Sequence, residues 1–220
     1  MKPREFKSAI YNEMAGMTKA LGNPHRLEIL DLLAQGPAPV DYISKNTTLS
    51  VANTSQHLQV LRNAKLVESD RQGKYIYYRL ASQHVFNAWC SFRKLGFSQN
   101  AEISKLLDDY RKKNNEFETM TAEQLIKKMD ANDVLVIDVR PEEEFENGHI
   151  KNAKSFPQKN LQKRMKELLL EKEIVAYCRG PLCLMADEAV KFLNKNGYTA
   201  SRLEKGFPDW EAEGLPVESM

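Results

Sequence analysis

The apolar run Ile174-Val175-Ala176-Tyr177 ends on Cys178-Arg179-Gly180-Pro181-Leu182-Cys183, and a helical pattern opens near Leu184. A cysteine at the end of a buried parallel strand and the mouth of a helix stands where open α/β sheets place their ligands. Loop amides and a helix N-terminus favour an anion there. Both should depress the thiol pKa and favour the nucleophilic thiolate. Cys178 is therefore the candidate nucleophile. Arg179 adds positive charge for an anionic substrate and its leaving group. Gly180 lets the backbone turn inward, Pro181 stiffens the loop, and Leu182 and Cys183 complete it. A buried structural cysteine at a Gly-Pro turn is the bland alternative. Zinc is disfavoured, because this pair is spaced more widely than usual and no second pair exists.

A second set of side chains suits a different chemistry. Ser50 caps a helix expected to run to Asn63. At about 100° per residue, Val51, Leu58 and Leu61 fall on one side of it and Asn53, Gln56 and His57 on the other. Amide side chains can bond adenine bidentately in a major groove. Arg71, Gln72 and Lys74 lie near the turn of an expected hairpin, Lys65–Asp70 and Lys74–Leu80 joined by Arg71-Gln72-Gly73, where they could meet phosphates. Val60 lands on the polar side. A merely solvated helix face and an ordinary basic hairpin tip explain the same residues.

The elements that must position these groups differ between the halves. In the first, Asn23-Pro24 starts a helix with Asn as cap and Pro at the first helical position. Gly36-Pro37-Ala38-Pro39 breaks the chain, and a short helix spans about Val40 to Asn46. From Ser82 a single helical pattern carries Phe86, Trp89, Phe92, Gly96, Ile103, Leu106 and Tyr110. In the second half, Val134-Leu135-Val136-Ile137 and Ile174–Tyr177 read as buried parallel strands. Helices near 121–130, 160–170 and 184–196 alternate with them, the first opened by the capping box Thr121-Ala122-Glu123-Gln124. The expectation is a mainly-α winged helix-turn-helix domain over residues 1–113, a linker at 114–120, and an α/β domain with a central parallel sheet over 121–220.

Composition agrees with two such domains. The chain has 220 residues, 42% hydrophobic and 28% charged, which excludes disorder. No run approaches the roughly 20 apolar residues of a membrane span, and the start lacks a signal-peptide core. Three cysteines are too few for a disulfide scaffold, so a cytoplasmic protein with no membrane partner is expected. The net charge of +2 conceals an asymmetry: residues 1–118 hold 17 Lys+Arg against 12 Asp+Glu, a net of +5, and the rest a net of −3. The basic half leans toward a polyanion.

Residues 12–82 resemble the ArsR/SmtB family of winged-helix repressors. The matching segments are Leu21-Gly22-Asn23-Pro24-His25-Arg26-Leu27-Glu28-Ile29-Leu30, Ser55-Gln56-His57-Leu58-Gln59-Val60-Leu61-Arg62 and Lys74-Tyr75-Ile76-Tyr77-Tyr78-Arg79-Leu80. The resemblance implies a homodimer, joined through the first and last helices, that binds a palindromic double-stranded DNA operator. It adds Ser55 to the DNA-facing set. Many members sense metals, but Val40-Asp41-Tyr42-Ile43-Ser44-Lys45 has no cysteine, and His84 and Cys90 stand alone. Cys90 is expected to be a small buried apolar residue. No metal and no cofactor is expected.

Residues 119–220 resemble a single rhodanese domain. The matching pieces are Ile137-Asp138-Val139-Arg140-Pro141 with Glu144-Phe145, Gly148-His149-Ile150-Lys151-Asn152-Ala153, Tyr177-Cys178-Arg179-Gly180, and Leu203-Glu204-Lys205-Gly206-Phe207-Pro208-Asp209-Trp210. This implies that Cys178 takes a sulfane sulfur as a persulfide, from a donor such as thiosulfate or polysulfide, and passes it to a thiol acceptor. In the family a six-residue loop, as from Cys178 to Cys183, goes with sulfur transfer and a seven-residue loop with phosphatases. Asp138 and Arg140 are expected to support the loops by ion pairing, and His149 to be a scaffold residue. Lys205 departs from a frequent glycine and is expected to lie away from the loop. Cys183 reads two ways, as a thiol that resolves a modified Cys178 or as a small residue opening the helix. Two functions follow: a regulator, expected to be a repressor, that senses or transfers reactive sulfur, or a sulfurtransferase enzyme in which the winged helix is only a tether or dimerisation module.

Overall fold

The computed structural model describes residues 2–114, 118–168 and 171–219. They divide into two compact units, Met1–Ser98 and Gln99–Met220.

The first unit contains α1 (Pro3–Leu21), α2 (Pro24–Leu33), β1 (Ala38–Pro39), α3 (Val40–Asn46), α4 (Val51–Asn63), β2 (Val67–Gln72), β3 (Tyr75–Leu80) and α5 (Gln83–Gln99). Local chemistry sets its helix starts. Asn23 Oδ1 accepts from the Arg26 amide at 3.2 Å and Ser50 Oγ from the Asn53 amide at 3.3 Å, each satisfying a donor that the helix cannot. Ile29, Leu30, Leu33, Ile43, Leu58, Leu61 and Val67 are buried in one cluster. Burial of each such side chain contributes about 1.5–3 kcal/mol. An antiparallel sheet of order β1-β3-β2 completes a winged helix-turn-helix. The wing turns on Gly73-Lys74 alone, because Gln72 still pairs with Tyr75. Gly73 takes φ 62°, as a two-residue hairpin turn requires. Arg71 and Gln72 are thus strand residues rather than turn residues.

The long helix expected from Ser82 is two helices. Asn100 ends α5, and its Oδ1 accepts from the Glu102 amide at 3.1 Å, starting α6 (Ala101–Asn114). A side chain that offers a new cap favours a restart over continuation. The division at Ser98/Gln99 places α6 with the second unit, ahead of the linker expected at 114–120. Of that linker, residues 115–117 lie outside the described residues, and Thr119–Met120 form a strand.

The second unit continues with β4 (Thr119–Met120), α7 (Ala122–Asp130), β5 (Val134–Asp138), α8 (Glu142–Asn147), β6 (His149–Ile150), β7 (Lys154–Ser155), α9 (Gln158–Arg164), β8 (Glu173–Tyr177), α10 (Met185–Lys195), β9 (Ala200–Leu203), α11 (Phe207–Ala212) and β10 (Val217–Glu218). A parallel sheet of order β4-β9-β8-β5-β7 forms its centre, and β6 and β10 make a separate antiparallel pair. The capping box at α7 is formed in both directions, Thr121 Oγ1 accepting from Gln124 and Gln124 Oε1 from Thr121. The helix expected over 160–170 stops at Arg164 and tightens into a 3₁₀ turn at Met165–Glu167; residues 169–170 lie outside the described residues.

Strand alternation sends side chains to two cores. Val134, Val136, Val175 and Tyr177 join Leu125, Phe145 and Trp210 on one face. Leu135, Ile137, Val139, Ile174, Ala176 and Cys178 join Leu161, Ala189, Val190 and Leu193 on the other. Parity thus delivers Cys178 to the face covered by α10.

Just past β5, Arg140 and Asp138 form an ion pair with no solvent exposure at either side chain. Arg140 Nη2 donates to Asp138 Oδ2 at 2.6 Å and to the Gly148 carbonyl at 2.7 Å. Its guanidinium lies 4.5 Å from the Phe207 ring centroid and 5.6 Å from that of Tyr177. Burial opposes its charge, but Asp138 outweighs burial and the Arg140 pKa stands above its ordinary value. Removing the carboxylate would strand a buried cation. Asp138→Ala should cost about 3–5 kcal/mol of stability, measured by urea unfolding of the full chain followed by tryptophan fluorescence.

Candidate functional site

Cys178 follows β8 directly, and the loop to Cys183 leads into α10. Three observations describe how it is held. The Cys178 Sγ donates to the Cys183 carbonyl at 3.5 Å. The Cys183 amide donates to the Gly180 carbonyl at 3.0 Å, closing a turn. The Phe207 amide donates to the Cys178 carbonyl at 3.1 Å, fixing the strand end from α11. Backbone amides of Gly180 and Ala186 face the Cys178 sulfur, and those of Arg179 and Met185 face Cys183. A six-residue turn lined by inward amides is a cradle for negative charge on sulfur.

The electrostatics differ from the expectation of a depressed Cys178 pKa. Cys178 is only 3% exposed, and burial pushes its thiol well above the ordinary value. The neighbouring Cys183 adds to this, while the amides of Ala186 and Gly180 pull the other way. Cys183 moves down, chiefly through its hydrogen bond with Cys178, against burial, and with help from the amides of Met185 and Arg179 and the charge of Arg179. Burial thus favours the neutral thiol at Cys178, and Cys183 is the more acidic of the two. Helix and amide effects are present, but desolvation of the deeper sulfur outweighs them.

Arg179 is not a free charge for a substrate. Its Nη2 lies 2.6 Å from Glu144 Oε1, and its Nε is 3.0 Å from both carboxylate oxygens. Glu144 is buried, so this bidentate pair braces the loop against α8. Gly180 is buried, Pro181 half-buried, and Leu182 exposed at the loop tip. His149 Nδ1 is 2.9 Å from the Phe145 carbonyl, and its ring stacks on Phe145 at 3.7 Å.

Gly206, next to Lys205, packs on the loop. A Cβ on Gly206 would fall 2.3 Å from the Arg179 carbonyl carbon and oxygen and from the Gly180 nitrogen. Only glycine fits there. Lys205 itself turns outward to Glu213, at 2.5 Å. Gly206 could have been singled out in the sequence as a glycine leading into a Phe-Pro helix start, but its partner is 26 positions away in the chain.

In the winged unit, Asn53, Ser55 and Gln56 of α4 are exposed together, and so are Arg71, Gln72 and Lys74 around the wing turn. His57 is half-buried, its ring 5.6 Å from that of His25. Burial, then Arg26 and His25, lower its pKa. The buried stripe of α4 is Thr54, Leu58 and Leu61; Val51, expected inside, is exposed at the first position of the helix. Arg62, not singled out from sequence, donates to Ser69 Oγ at 3.3 Å and to Gln59 Oε1 at 3.0 Å, tying α4 to the wing. Cys90 is half-buried rather than buried, with Arg93 Nη2 at 3.9 Å from its sulfur. Among the described residues, no three His, Cys, Asp or Glu side chains converge to hold a metal ion.

Two family models match the chain: the bacterial regulatory protein, arsR family, over residues 23–69, and the rhodanese-like domain over residues 121–213. The HTH-type transcriptional regulator Rv0324 of Mycobacterium tuberculosis is 36% identical over 212 residues, covering 96% of this chain and 93% of the relative. The chain belongs to the ArsR-family transcriptional regulators that carry a rhodanese-like domain. A sulfurtransferase of Allochromatium vinosum is 32% identical to this regulator over 89 residues, 40% of this chain and 81% of its own. A solution structure of the homodimeric winged helix-turn-helix DNA-binding domain of a possible ArsR-family regulator from Mycobacterium bovis is 35% identical. It covers 46% of this chain and 91% of its own, with a TM-score of 0.43.

The order in which the two thiols of this regulator react follows from their burial and charge. Limited iodoacetamide at neutral pH should label Cys183 before Cys178. Peptide mass spectrometry over a time course checks this.

Proposed function

We propose that this protein is a DNA-binding repressor whose rhodanese-like domain accepts sulfane sulfur on Cys178. The observation that carries the reading is the amide-lined six-residue loop, in which the Cys178 Sγ donates to the Cys183 carbonyl and the two thiols differ in acidity. On approach of a donor such as thiosulfate, Cys183 takes the Cys178 proton. The Cys178 thiolate attacks the outer sulfur, the sulfur–sulfur bond of the donor breaks, and sulfite leaves with the electron pair. The loop amides then stabilise the persulfide anion. A thiol acceptor, or Cys183 itself, can attack next. Attack by Cys183 at the inner sulfur forms the Cys178–Cys183 disulfide and expels hydrosulfide, so no further oxidant is required.

On the winged unit, Asn53, Ser55, Gln56 and His57 face base edges, and Arg71, Gln72 and Lys74 face the backbone or minor groove. The 19-residue α1 buries only Ala20, and Phe6, Ile10, Tyr11, Met14 and Met17 are exposed on it. Phe92 and Leu95 of α5 are exposed too, whereas Phe86 and Trp89 are buried within the unit. Such apolar faces favour a homodimer that presents two α4 helices to one operator. No described helix is long and apolar enough to cross a membrane, in keeping with a cytoplasmic regulator. Sulfur loading biases the dimer toward a DNA-released state.

The similarity to a sulfurtransferase favours a second reading, an enzyme for which the winged helix is a tether. Polysulfide treatment followed by mass spectrometry and operator titration separates the two. A Cys178 persulfide that lowers operator affinity in wild type, and is absent with no change of affinity in Cys178→Ser, is the expected result. Unchanged affinity despite a loaded Cys178, with cysteine-dependent turnover, supports the enzyme. Gln56→Ala should weaken specific operator binding by about 1–3 kcal/mol while leaving nonspecific binding unchanged, measured by fluorescence anisotropy at fixed salt.

A further inference from the structure

Beneath the loop lies a charge cluster that the sulfur chemistry above does not use. Asp187, in the first turn of α10, has no solvent exposure, and neither of its side-chain oxygens receives a hydrogen bond. Two guanidinium groups flank it. Arg202 Nε, from β9, is 3.4 Å from Asp187 Oδ1, and Arg111 Nε, from α6, is 3.6 Å from the same oxygen. Burial raises the Asp187 pKa against both cations. Burial, reinforced by Arg111, lowers that of Arg202. Arg111 makes one further contact: its Nη2 donates to the Pro181 carbonyl at 2.8 Å. Pro181 sits inside the Cys178–Cys183 loop. Arg111 lies outside residues 121–213, which match the rhodanese-like domain.

We propose that Arg111 is a positioning residue for the sulfur-accepting loop, so that the seating of α6 and the chemical state of the Cys178–Cys183 pair are linked. This rests on the sulfur-accepting reading above for the loaded state alone. The physical basis is the shortness of the loop. Cys178 donates to the Cys183 carbonyl, Cys183 to the Gly180 carbonyl, and Arg111 grips the peptide between them. An added sulfur atom on Cys178, or a bond from Cys178 to Cys183, has to be accommodated within these few peptides. The Pro181 carbonyl moves with them. Loading then loosens Arg111, and by reciprocity loss of Arg111 loosens the loop. Asp187 keeps Arg202 as a partner, so removal of Arg111 leaves no buried carboxylate without a cation. Alpha-6 follows α5 of the winged unit after Asn100 alone, which gives the loop a short covalent path toward the regulator's other half.

The test uses the full-length protein, wild type, Arg111→Ala and Arg111→Lys. Two readouts need no sulfur: the rate of Cys178 alkylation by iodoacetamide, and amide hydrogen exchange over residues 101–114. Loss of one charge-assisted hydrogen bond shifts a local opening by about tenfold. Arg111→Ala should therefore alkylate Cys178 and exchange α6 about tenfold faster than wild type, with Arg111→Lys between the two. After polysulfide, with Cys178 loading confirmed by mass spectrometry, α6 exchange should rise in wild type and stay at its already raised level in Arg111→Ala. Equal alkylation and exchange in wild type and Arg111→Ala overturns the proposal. So does a wild-type α6 whose exchange ignores a loaded Cys178. An Arg111 effect on both sulfur-free readouts, with Cys178 never loaded by polysulfide, supports the positioning role and overturns sulfur acceptance.

Discussion

A single buried cation organises the rhodanese-like unit. Arg140 is held by Asp138 at the end of β5, takes the Gly148 carbonyl from the turn before β6, and lies against Tyr177 and Phe207. Tyr177 in turn accepts from the Ile150 amide at 3.1 Å through its hydroxyl. Four segments, around Asp138, Gly148, Tyr177 and Phe207, therefore meet at one guanidinium, and Tyr177 directly precedes Cys178. Such a pair contributes little net stability against an apolar replacement. What it supplies is direction, because a planar donor fork satisfies its partners in few arrangements. The Arg179–Glu144 pair repeats the device on the loop itself.

With the loop braced this way, the chemistry of its sulfurs becomes a matter of depth. Cys178 is held at the bottom of the cradle, where solvent cannot help its charge. Cys183, nearer the surface, is the more acidic thiol. A deep thiol that burial keeps neutral is protected from casual oxidants, which require a thiolate.

The parts of this arrangement that were legible in the sequence are the local ones. Asn23, Ser50 and Thr121 act within three residues of themselves, and the structure shows each capping its helix as read. The apolar runs at 134–137 and 174–177 signalled strands buried on both faces, because no polar residue interrupts them. Illegible parts depend on approach across the fold. Gly206 is a glycine only because the 179–180 peptide presses on it, and the break at Asn100 comes from a side chain competing with the helix it would otherwise continue. Nothing in the sequence marks Arg111, whose guanidinium reaches the Pro181 carbonyl 70 positions away. The raised pKa of Cys178 is illegible for the same reason: amides and helix end are visible in the sequence, but depth is not.

The alternation along β8 has a consequence for descent. Cys178 reaches the α10 face because it is in step with Ile174 and Ala176. One residue inserted between them would turn the sulfur toward Trp210 and bury it in hydrocarbon. One residue inserted after Cys178 would only widen the cradle. Lineages built on this frame are therefore free to resize the ring of amides, and so the anion it can enclose, while the Cys178 sulfur stays where it is.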